Sequence, residues 1–305
     1  MKDQLQASAP LALLTAYQVG GPAQWYLQPT RERVLDETLA WARREGLPVT
    51  IIGAGTNLLI SDSGISGLVV HLRSWRGFKT PEDGVLEAKA GESIAALAYQ
   101  MARRGWSGLE WAVGVPGSVG GAVVMNAGAH GAQLSDSLES IEVLTESGER
   151  RRVSAAELDL GYRTSNLQER DWVVLSARLR LEPGCGPEKL LARLDEYNAF
   201  RHRTQPSGYP NCGSVFRNPQ GDKKAGWMLD RSGLKGHQIG AAQVAEQHAN
   251  FILNRGGATA RDILTLMAHM RERVLSDWGI ALEPEVRFLG SGLLWSFEHH
   301  RFASI

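Results

Sequence analysis

The chain contains few cysteines for its length, with two among 305 residues. Cys185 and Cys212 cannot build a disulfide framework, and they show neither a CxxC motif nor the spacing of metal ligands. The sequence therefore predicts no metal site. It predicts two ordinary thiols in a reducing compartment, which favours a cytoplasmic location.

The chain also lacks net charge, because 33 Lys and Arg residues balance 33 Asp and Glu residues. A dedicated nucleic-acid binder needs surplus cations to displace the counterions of the phosphate backbone, so the balance argues against that class. A local cationic pocket for one small anion remains compatible with zero net charge.

A leader and an uninterrupted apolar span are absent as well. Residues 1–10 lack the continuous apolar core of a signal peptide. Residues 111–135 carry no Asp, Glu, Lys or Arg, but Pro116, Asn126 and several glycines interrupt them. Backbone of this kind cannot satisfy its amides in lipid, so we expect it to be buried and irregular in a soluble protein with no membrane partner.

Short helical and extended patterns alternate along the chain without an internal repeat. Helical spacing of apolar residues predicts helices over 30–45, 93–104, 190–200 and 260–278. Short apolar runs predict strands over 48–52, 58–60, 67–72, 85–90, 141–144 and 172–181. Two prolines and two glycines within 183–187 predict a linker. We therefore expect an α+β protein with domains 1–183 and 188–305.

A glycine cluster follows the strand predicted over 48–52. Residues 53–57 read GAGTN, but Leu58 occupies the place of the third glycine of a Rossmann fingerprint, and no acid follows about twenty residues later. A Rossmann site is therefore not expected. Two glycines and a small threonine would still let backbone amides approach a pyrophosphate. A phosphate-binding loop and a tight turn without a ligand both remain open.

A second glycine-rich stretch runs from residue 113 to 131 and contains the segments VGVPGSVGGA and MNAGAHG. Glycines at this density weaken regular elements, and the stretch is too apolar for a solvated linker. Buried irregular backbone needs hydrogen-bond partners, which a cofactor with phosphates and a flat ring would provide. The two clusters together favour a bound cofactor over two bare turns.

Eight segments resemble, in the same order, those of the UDP-N-acetylenolpyruvoylglucosamine reductase family. They are 19–23 (VGGPA), 53–58 (GAGTNL), 114–122 (GVPGSVGGA), 125–131 (MNAGAHG), 161–165 (GYRTS), 213–219 (GSVFRNP), 248–252 (HANFI) and 282–287 (LEPEVR). Each segment alone is a weak signal, whereas the ordered set is highly specific and covers most of the chain.

The resemblance implies an FAD-binding region of the vanillyl-alcohol-oxidase (PCMH) type, with two α+β subdomains divided near residue 72, and a C-terminal α+β substrate domain. It implies non-covalent FAD, NADPH as hydride donor, and reduction of UDP-N-acetylglucosamine enolpyruvate to UDP-N-acetylmuramate in peptidoglycan precursor synthesis. Only fifty-one positions separate Arg163 from Ser214. The substrate-covering insertion of the longer family type is therefore absent, and the shorter second type is expected. A cytoplasmic monomer is also expected.

The resemblance and the negative charge of the substrate assign the site residues. Catalysis is expected from Arg163, Ser214 and Glu285. Cofactor contacts are expected at Gly53, Ala54, Gly55, Thr56, Asn57, Leu58, Gly114, Pro116, Gly117, Ser118, Gly120, Gly121, Asn126, Ala127 and Gly128. Substrate contacts are expected at Arg201, Arg217, Asn218, Lys235, Gln243 and His248.

The implied reaction saturates a double bond next to a carboxylate, so negative charge develops on the α-carbon and the carboxylate. A cation, a second hydrogen-bonding group and a proton source are then needed. Arg163 can hold a carboxylate with two hydrogen bonds, and Ser214 would give the proton. Glu285 would share the carboxylate, and it must then be protonated or act through water. Glu283 lies two residues away on the same strand face, so the pattern alone allows either acid, while the family pattern favours Glu285.

Other interpretations stay open at the level of residues and of function. Arg163 would ordinarily lie on the surface, Ser214 in a turn and His248 in the core. An oxygen-using alcohol or sugar oxidase on the same fold and a non-catalytic flavin- or nucleotide-binding protein are two other functions. Retention of the three catalytic residues argues against the second of these. The sequence departs from the family pattern at Thr15, Ala16, Asp230 and Gln247, and the tail after Gly290 has no assigned role.

Overall fold

The computed structural model describes residues 5–292, which form two compact units. Unit 1 contains Leu5, Leu27–Ala54 and Val69–Arg203, whereas unit 2 contains Gln6–Tyr26, Gly55–Leu68 and 204–292. Each unit is therefore assembled from separated stretches of the sequence. The domain boundaries expected at 183 and 188, and the division near residue 72, stay predictions.

Unit 1 and unit 2 mix helices and strands throughout. The helices are α1 (Glu32–Arg44), α2 (Ile94–Arg103), α3 (Val119–Val124), α4 (Pro187–Thr204), α5 (Ala225–Arg231) and α6 (Ala260–Trp278). The strands are β1 (Gln6–Pro10), β2 (Pro22–Leu27), β3 (Val49–Ile52), β4 (Leu58–Ile60), β5 (Ile65–His71), β6 (Phe78–Lys79), β7 (Val85–Lys89), β8 (Gly128–Ala129), β9 (Ala132–Gln133), β10 (Leu138–Leu144), β11 (Arg150–Ser154), β12 (Val173–Arg180), β13 (Gln238–Ile239), β14 (Ala242–Val244), β15 (Ile252–Asn254) and β16 (Arg287–Leu289).

Unit 1 is built on a five-stranded sheet in the order β11-β10-β12-β7-β6, in which neighbouring strands are antiparallel. Helix α2 is capped by Ser93, whose hydroxyl accepts the Ala96 N–H (3.3 Å) and so satisfies one amide of the first turn. The buried face of α4 carries Leu190 and Leu194, which pack with residues of α2 and the glycine-rich stretch. This helix begins at Pro187, which is the last residue of the linker predicted over 183–187.

Unit 2 has its core around α6, the clearest helix of the sequence. Thr259 and Asp262 form a reciprocal capping box at its start, and Gly279 ends it with a φ of 68°. Of the apolar stripe that the spacing predicts, Ile263, Met267, Met270 and Val274 are fully buried, whereas Trp278 at its end is half-buried. The strands of this unit pair as β13-β14-β15, as β1 with β2, and as β4 parallel to β16.

The helices and strands predicted from apolar spacing are confirmed to within a few residues at each end. The expectation of irregular backbone across the second glycine-rich stretch is wrong for α3. Its six residues form a helix because Ser118 caps it and the carbonyls of Ala90 and Glu92, in the turn after β7, accept its first amides. The short strands β1, β2, β11 and β13–β15 carry too little apolar pattern to be predicted.

No helix among residues 5–292 combines the length and the apolar content needed to cross a membrane. From residue 293 onward, the tail after Gly290 lies outside the described residues.

Candidate functional site

In unit 1, the end of β3 lies against the start of α3. A Cβ atom added at Gly53 would lie 2.3 Å from the Ser118 hydroxyl oxygen, so a side chain at this position would displace that hydroxyl. The Ser118 hydroxyl also accepts the Gly121 N–H at 3.4 Å. Two segments that the sequence assigned to the cofactor are thereby brought together.

The two neighbouring glycines of α3 have different surroundings. Gly120 donates its N–H to the Ala90 carbonyl (2.9 Å), and a Cβ at Gly120 would lie 3.0 Å from that of Ala90. Packing within the protein therefore explains Gly120. Gly121 is exposed, and a Cβ there would meet only the Ser118 hydroxyl, at 3.4 Å. The fold leaves space above Gly121 that a ligand can occupy.

Gly114 packs against the side chain of Arg201, also in unit 1. Its φ is +66°, and a Cβ there would lie 2.9 Å from Cδ and Nε of Arg201. Burial lowers the pKa of the Arg201 guanidinium, which nevertheless stays charged. Gly117 belongs to the same turn and accepts the Ile94 N–H through its carbonyl (3.3 Å). Arg201 thus stands beside the segment assigned to the cofactor.

A hydrogen-bond network joins Arg163 to the second part of the glycine-rich stretch. One terminal nitrogen of Arg163 donates to the Gly128 carbonyl at 2.6 Å. The fully buried Asn126 donates to the Gly161 carbonyl (2.9 Å) and accepts the Ser135 N–H (3.0 Å). Asn126 and Arg163 both have positive φ, at 39° and 58°, a conformation that the surrounding structure must hold in place. Ala127 is fixed by its N–H bond to the Ala122 carbonyl at 2.9 Å.

Ala54 still belongs to unit 1, whereas Gly55 and the residues after it in the first glycine cluster belong to unit 2. Gly55 has a φ of +69°, and a Cβ there would lie 1.8 Å from the Leu14 carbonyl oxygen, so its backbone is fixed by packing. The Asn57 side-chain amide donates to the Glu285 carbonyl at 2.9 Å, and Leu58 pairs with Arg287 between β4 and β16. This segment therefore holds the backbone that carries Glu285.

Ser214 and Glu285 lie on two paired extended segments of unit 2. The Glu285 N–H donates to the Val215 carbonyl (2.8 Å), and the Arg217 N–H donates to the Glu283 carbonyl (2.9 Å). Glu285 is half-buried, whereas Glu283 is exposed. The segment from Ser214 to Arg217 thus has a fixed register against the segment that carries both acids.

Buried Asn250 holds the Ser214 segment from the other side. Its side-chain oxygen accepts the Phe216 N–H (3.0 Å), and its side-chain nitrogen donates to the Phe216 carbonyl (2.8 Å). Its own carbonyl accepts the Val215 N–H at 2.9 Å. Because the sequence pattern gives no partner for Asn250, this positioning role was missed.

A pocket of about 380 Å³ opens beside Ser214 within unit 2. It is lined by Ser214, Asn218, Lys224, Gly226, Trp227, Asp230, Lys235, Gln247, His248, Ala249 and Asn250. Three of the expected substrate contacts therefore lie around one cavity with the proposed proton donor. The lining does not include the other three, since Arg217 and Gln243 lie elsewhere in unit 2 and Arg201 belongs to unit 1.

The pocket combines cations with neutral hydrogen-bonding groups. Lys224 and Lys235 supply positive charge, and Lys235 forms an ion pair with Asp230 at 3.0 Å. Nδ1 of His248 accepts the Asn250 N–H (3.2 Å), so a neutral His248 carries its proton on Nε2. Burial, reinforced by Lys235, lowers the pKa of His248 and favours that neutral form.

The sequence and the fold of this chain are similar to those of known proteins. Residues 205–289 match the profile of the UDP-N-acetylenolpyruvoylglucosamine reductase C-terminal domain, and residues 23–154 match that of an FAD binding domain. A UDP-N-acetylenolpyruvoylglucosamine reductase of Gloeobacter violaceus is 78% identical over 97% of this chain and 100% of its own length. One of Synechococcus sp. is 50% identical over 95% of this chain and 93% of its own length. The crystal structure of UDP-N-acetylenolpyruvylglucosamine reductase (MurB) from Thermus caldophilus superimposes with a TM-score of 0.80 at 32% identity, covering 94% of this chain and 99% of that one.

Proposed function

The chain belongs to the UDP-N-acetylenolpyruvoylglucosamine reductase family, and on that premise we propose that Arg163, Ser214 and Glu285 are its catalytic residues. It is an FAD-containing oxidoreductase that uses NADPH to reduce UDP-N-acetylglucosamine enolpyruvate to UDP-N-acetylmuramate in peptidoglycan precursor synthesis. The α+β fold expected from the sequence, with an FAD-binding region and a C-terminal substrate domain, is confirmed. The use of FAD as cofactor and of NADPH as hydride donor is confirmed as well.

One observation carries the proposal for Ser214. The serine follows Gly213, borders the pocket and lies on a segment that Asn250 and Glu285 hold from both sides. A hydroxyl is a poor acid in water, but one held at a fixed position can protonate the strongly basic α-carbon of an enolate. Ser214 is therefore proposed to give the proton that completes the saturation of the double bond.

Arg163 and Glu285 are proposed to act on the carboxylate next to that double bond. The guanidinium of Arg163 is permanently charged, and its bond to the Gly128 carbonyl restrains its direction. A cation held in this way stabilises the charge that develops on the carboxylate. Glu285 must be protonated or act through water, because two bare carboxylates repel.

The glycine-rich backbone of unit 1 fits a flavin nucleotide. Gly121 presents an exposed backbone that no side chain covers, and Gly53 and Ser118 lie directly beside it. When bound, FAD supplies the hydride carrier between NADPH and the substrate. We propose that the residues assigned from the sequence hold it without a covalent bond: Gly53, Ala54, Gly55, Thr56, Asn57, Leu58, Gly114, Pro116, Gly117, Ser118, Gly120, Gly121, Asn126, Ala127 and Gly128.

The unit 2 pocket is proposed to bind the nucleotide part of the substrate. Lys235 supplies a charge for a phosphate, and Asn218 and His248 supply neutral hydrogen-bonding groups. Arg201, Arg217 and Gln243 stay proposals as substrate contacts. A cytoplasmic location is also proposed, because nucleotide-linked sugars and NADPH are cytoplasmic metabolites. The monomeric state expected from the family resemblance is a proposal as well.

An anaerobic titration tests this function. NADPH should bleach the flavin absorbance of the purified protein, and the enolpyruvyl nucleotide should restore it, whereas oxygen should restore it slowly. Arg163→Gln should slow the restoration by substrate, while the exposed Arg170→Gln serves as a control with no effect. Rapid restoration by oxygen with none by the nucleotide would instead support the oxidase.

A further inference from the structure

Arg163 lies in a tight loop and has a backbone conformation that arginine seldom adopts. Backbone hydrogen bonds in both directions between Gly161 and Thr164 (3.1 and 3.2 Å) close the loop, so Arg163 is one of its two central residues. Its φ of +58° lies in the left-handed region, which turns normally give to glycine or asparagine. Another residue keeps this conformation only where the surrounding structure over-determines it. Contacts around the loop must therefore hold Arg163.

The side-chain amide of Gln168 supplies such a contact. Its Nε2 donates to the Arg163 carbonyl at 3.1 Å and to the Val124 carbonyl at 3.0 Å. A side-chain NH2 group has two hydrogens, so one hydrogen can serve each carbonyl. Val124 is the last residue of α3, and its carbonyl also accepts the Ser165 hydroxyl at 2.7 Å. Gln168 thus ties the backbone of Arg163 to the end of the glycine-rich helix.

The bond to the Arg163 carbonyl restrains the direction in which the arginine side chain leaves the backbone. It holds the peptide plane that follows Arg163, and a rotation of this plane would shift the loop and the guanidinium with it. At the other end of the side chain, a terminal nitrogen donates to the Gly128 carbonyl at 2.6 Å. Gln168 and Gly128 therefore restrain the two ends of one side chain, and both belong to unit 1.

We propose that Gln168 is a positioning residue for the reaction, which holds Arg163 where its guanidinium meets the charge that develops on the substrate carboxylate. Gln168 acts through Arg163 and not on the substrate itself. The inference rests on the proposed catalytic role of Arg163. It adds that the placement of this cation depends on a neutral amide five positions further along the chain.

A double-mutant cycle on flavin reoxidation tests the role of Gln168. Gln168→Met keeps most of the side-chain length but has no N–H donor, whereas the ammonium of Gln168→Lys can donate to both carbonyls. In flavin-saturated protein, Gln168→Met should slow reoxidation by the enolpyruvyl nucleotide about 10–100-fold and leave reduction by NADPH within about twofold, because small displacements of a catalytic group are costly. Gln168→Lys should keep most of the reoxidation rate. In an Arg163→Gln background, Gln168→Met should cause no further slowing, because the group that it positions is already gone.

Asn166→Leu is the matched control, because the Asn166 side chain also donates to a backbone carbonyl, that of Glu157 (2.8 Å). It should lower the melting temperature and leave reoxidation unchanged. Equal slowing by Gln168→Met in the wild-type and Arg163→Gln backgrounds would overturn the proposal, and so would an unchanged rate in folded Gln168→Met. Should Gln168→Met not fold, Gln168→Asn takes its place in the cycle, because its side chain is one methylene too short to reach both carbonyls. Failure of the proposed function would appear separately, as normal reoxidation in Arg163→Gln alone, and would overturn this inference as well.

Discussion

Replacing Asn250 by alanine removes the two side-chain bonds that hold Phe216, beside Ser214. The Phe216 N–H and carbonyl then lose their partners at 3.0 and 2.8 Å inside the core. An unsatisfied buried group costs about 1–3 kcal/mol, so for these two groups we expect a loss of roughly 2–6 kcal/mol in unfolding free energy. Displacement of the serine segment should also slow flavin reoxidation by substrate about 10–100-fold, since small misplacements in an active site are costly.

Asn254→Ala is the matched control for this prediction. Asn254 is similarly buried in the same unit, donates to the Tyr17 carbonyl (2.9 Å) and accepts the N–H groups of Gly256 and Ala258. Both variants should lose comparable stability in urea unfolding. At a temperature where both are folded, only Asn250→Ala should slow reoxidation in rapid mixing. Equal rates for the two variants would refute the positioning role of Asn250.

Three further predictions concern the acids, the cofactor and pH. Glu285→Gln should keep much of the reoxidation rate if the side chain acts as a neutral donor, while Glu285→Ala should lose about 10²-fold. Glu283→Ala should mainly change stability, by about 1 kcal/mol, and a reversed order of the two Ala variants would show that the wrong acid was assigned. Gly121→Ala should stabilise the apoprotein by roughly 0.5–1 kcal/mol, because alanine has the higher helix propensity, yet it should weaken FAD binding. Gly186→Ala, also in open space, is the control and should leave FAD affinity unchanged. Unchanged FAD affinity in both variants would argue against a ligand at α3. Burial lowers several histidine pKa values below the ordinary 6.5, so the unfolded chain binds more protons in acid, and unfolding free energy should fall as pH drops below about 6.5. A flat unfolding free energy between pH 7.5 and 5.5 would contradict the shifts, which occur at His71, His130, His248 and His269.

The long helices and strands were predictable because capping residues and apolar spacing lie within each of these segments of the sequence. In α6 the capping residue Thr259, the apolar stripe and the final Gly279 all lie within one stretch of sequence, and the structure has each of them. Helix α3 escaped prediction because its stability depends on distant partners. Its first amides bond to the carbonyls of Glu92 and Ala90, which belong to other segments, and glycine content alone argues against a helix.

The site was predictable only where single residues carry a signal. The family pattern pointed to Ser214 and Glu285, but their pairing depends on long-range contacts such as that of Asn57 with the Glu285 backbone, 228 positions away. The same limit hid the role of Asn250, because an amide that positions backbone looks ordinary in sequence. At Gly120 the sequence pointed only to the cofactor, whereas the structure adds a packing constraint from Ala90.

The most direct test of the catalytic assignment separates the two half-reactions in Ser214→Ala. Hydride transfer from NADPH to the flavin does not need the proton on the α-carbon, so flavin reduction should stay within about twofold of the wild-type rate. Reoxidation by the enolpyruvyl nucleotide should fall by about 10²–10⁴-fold, the contribution of a positioned proton donor. If anaerobic rapid mixing shows both half-reactions falling equally, Ser214 has a structural role and the central assignment is wrong.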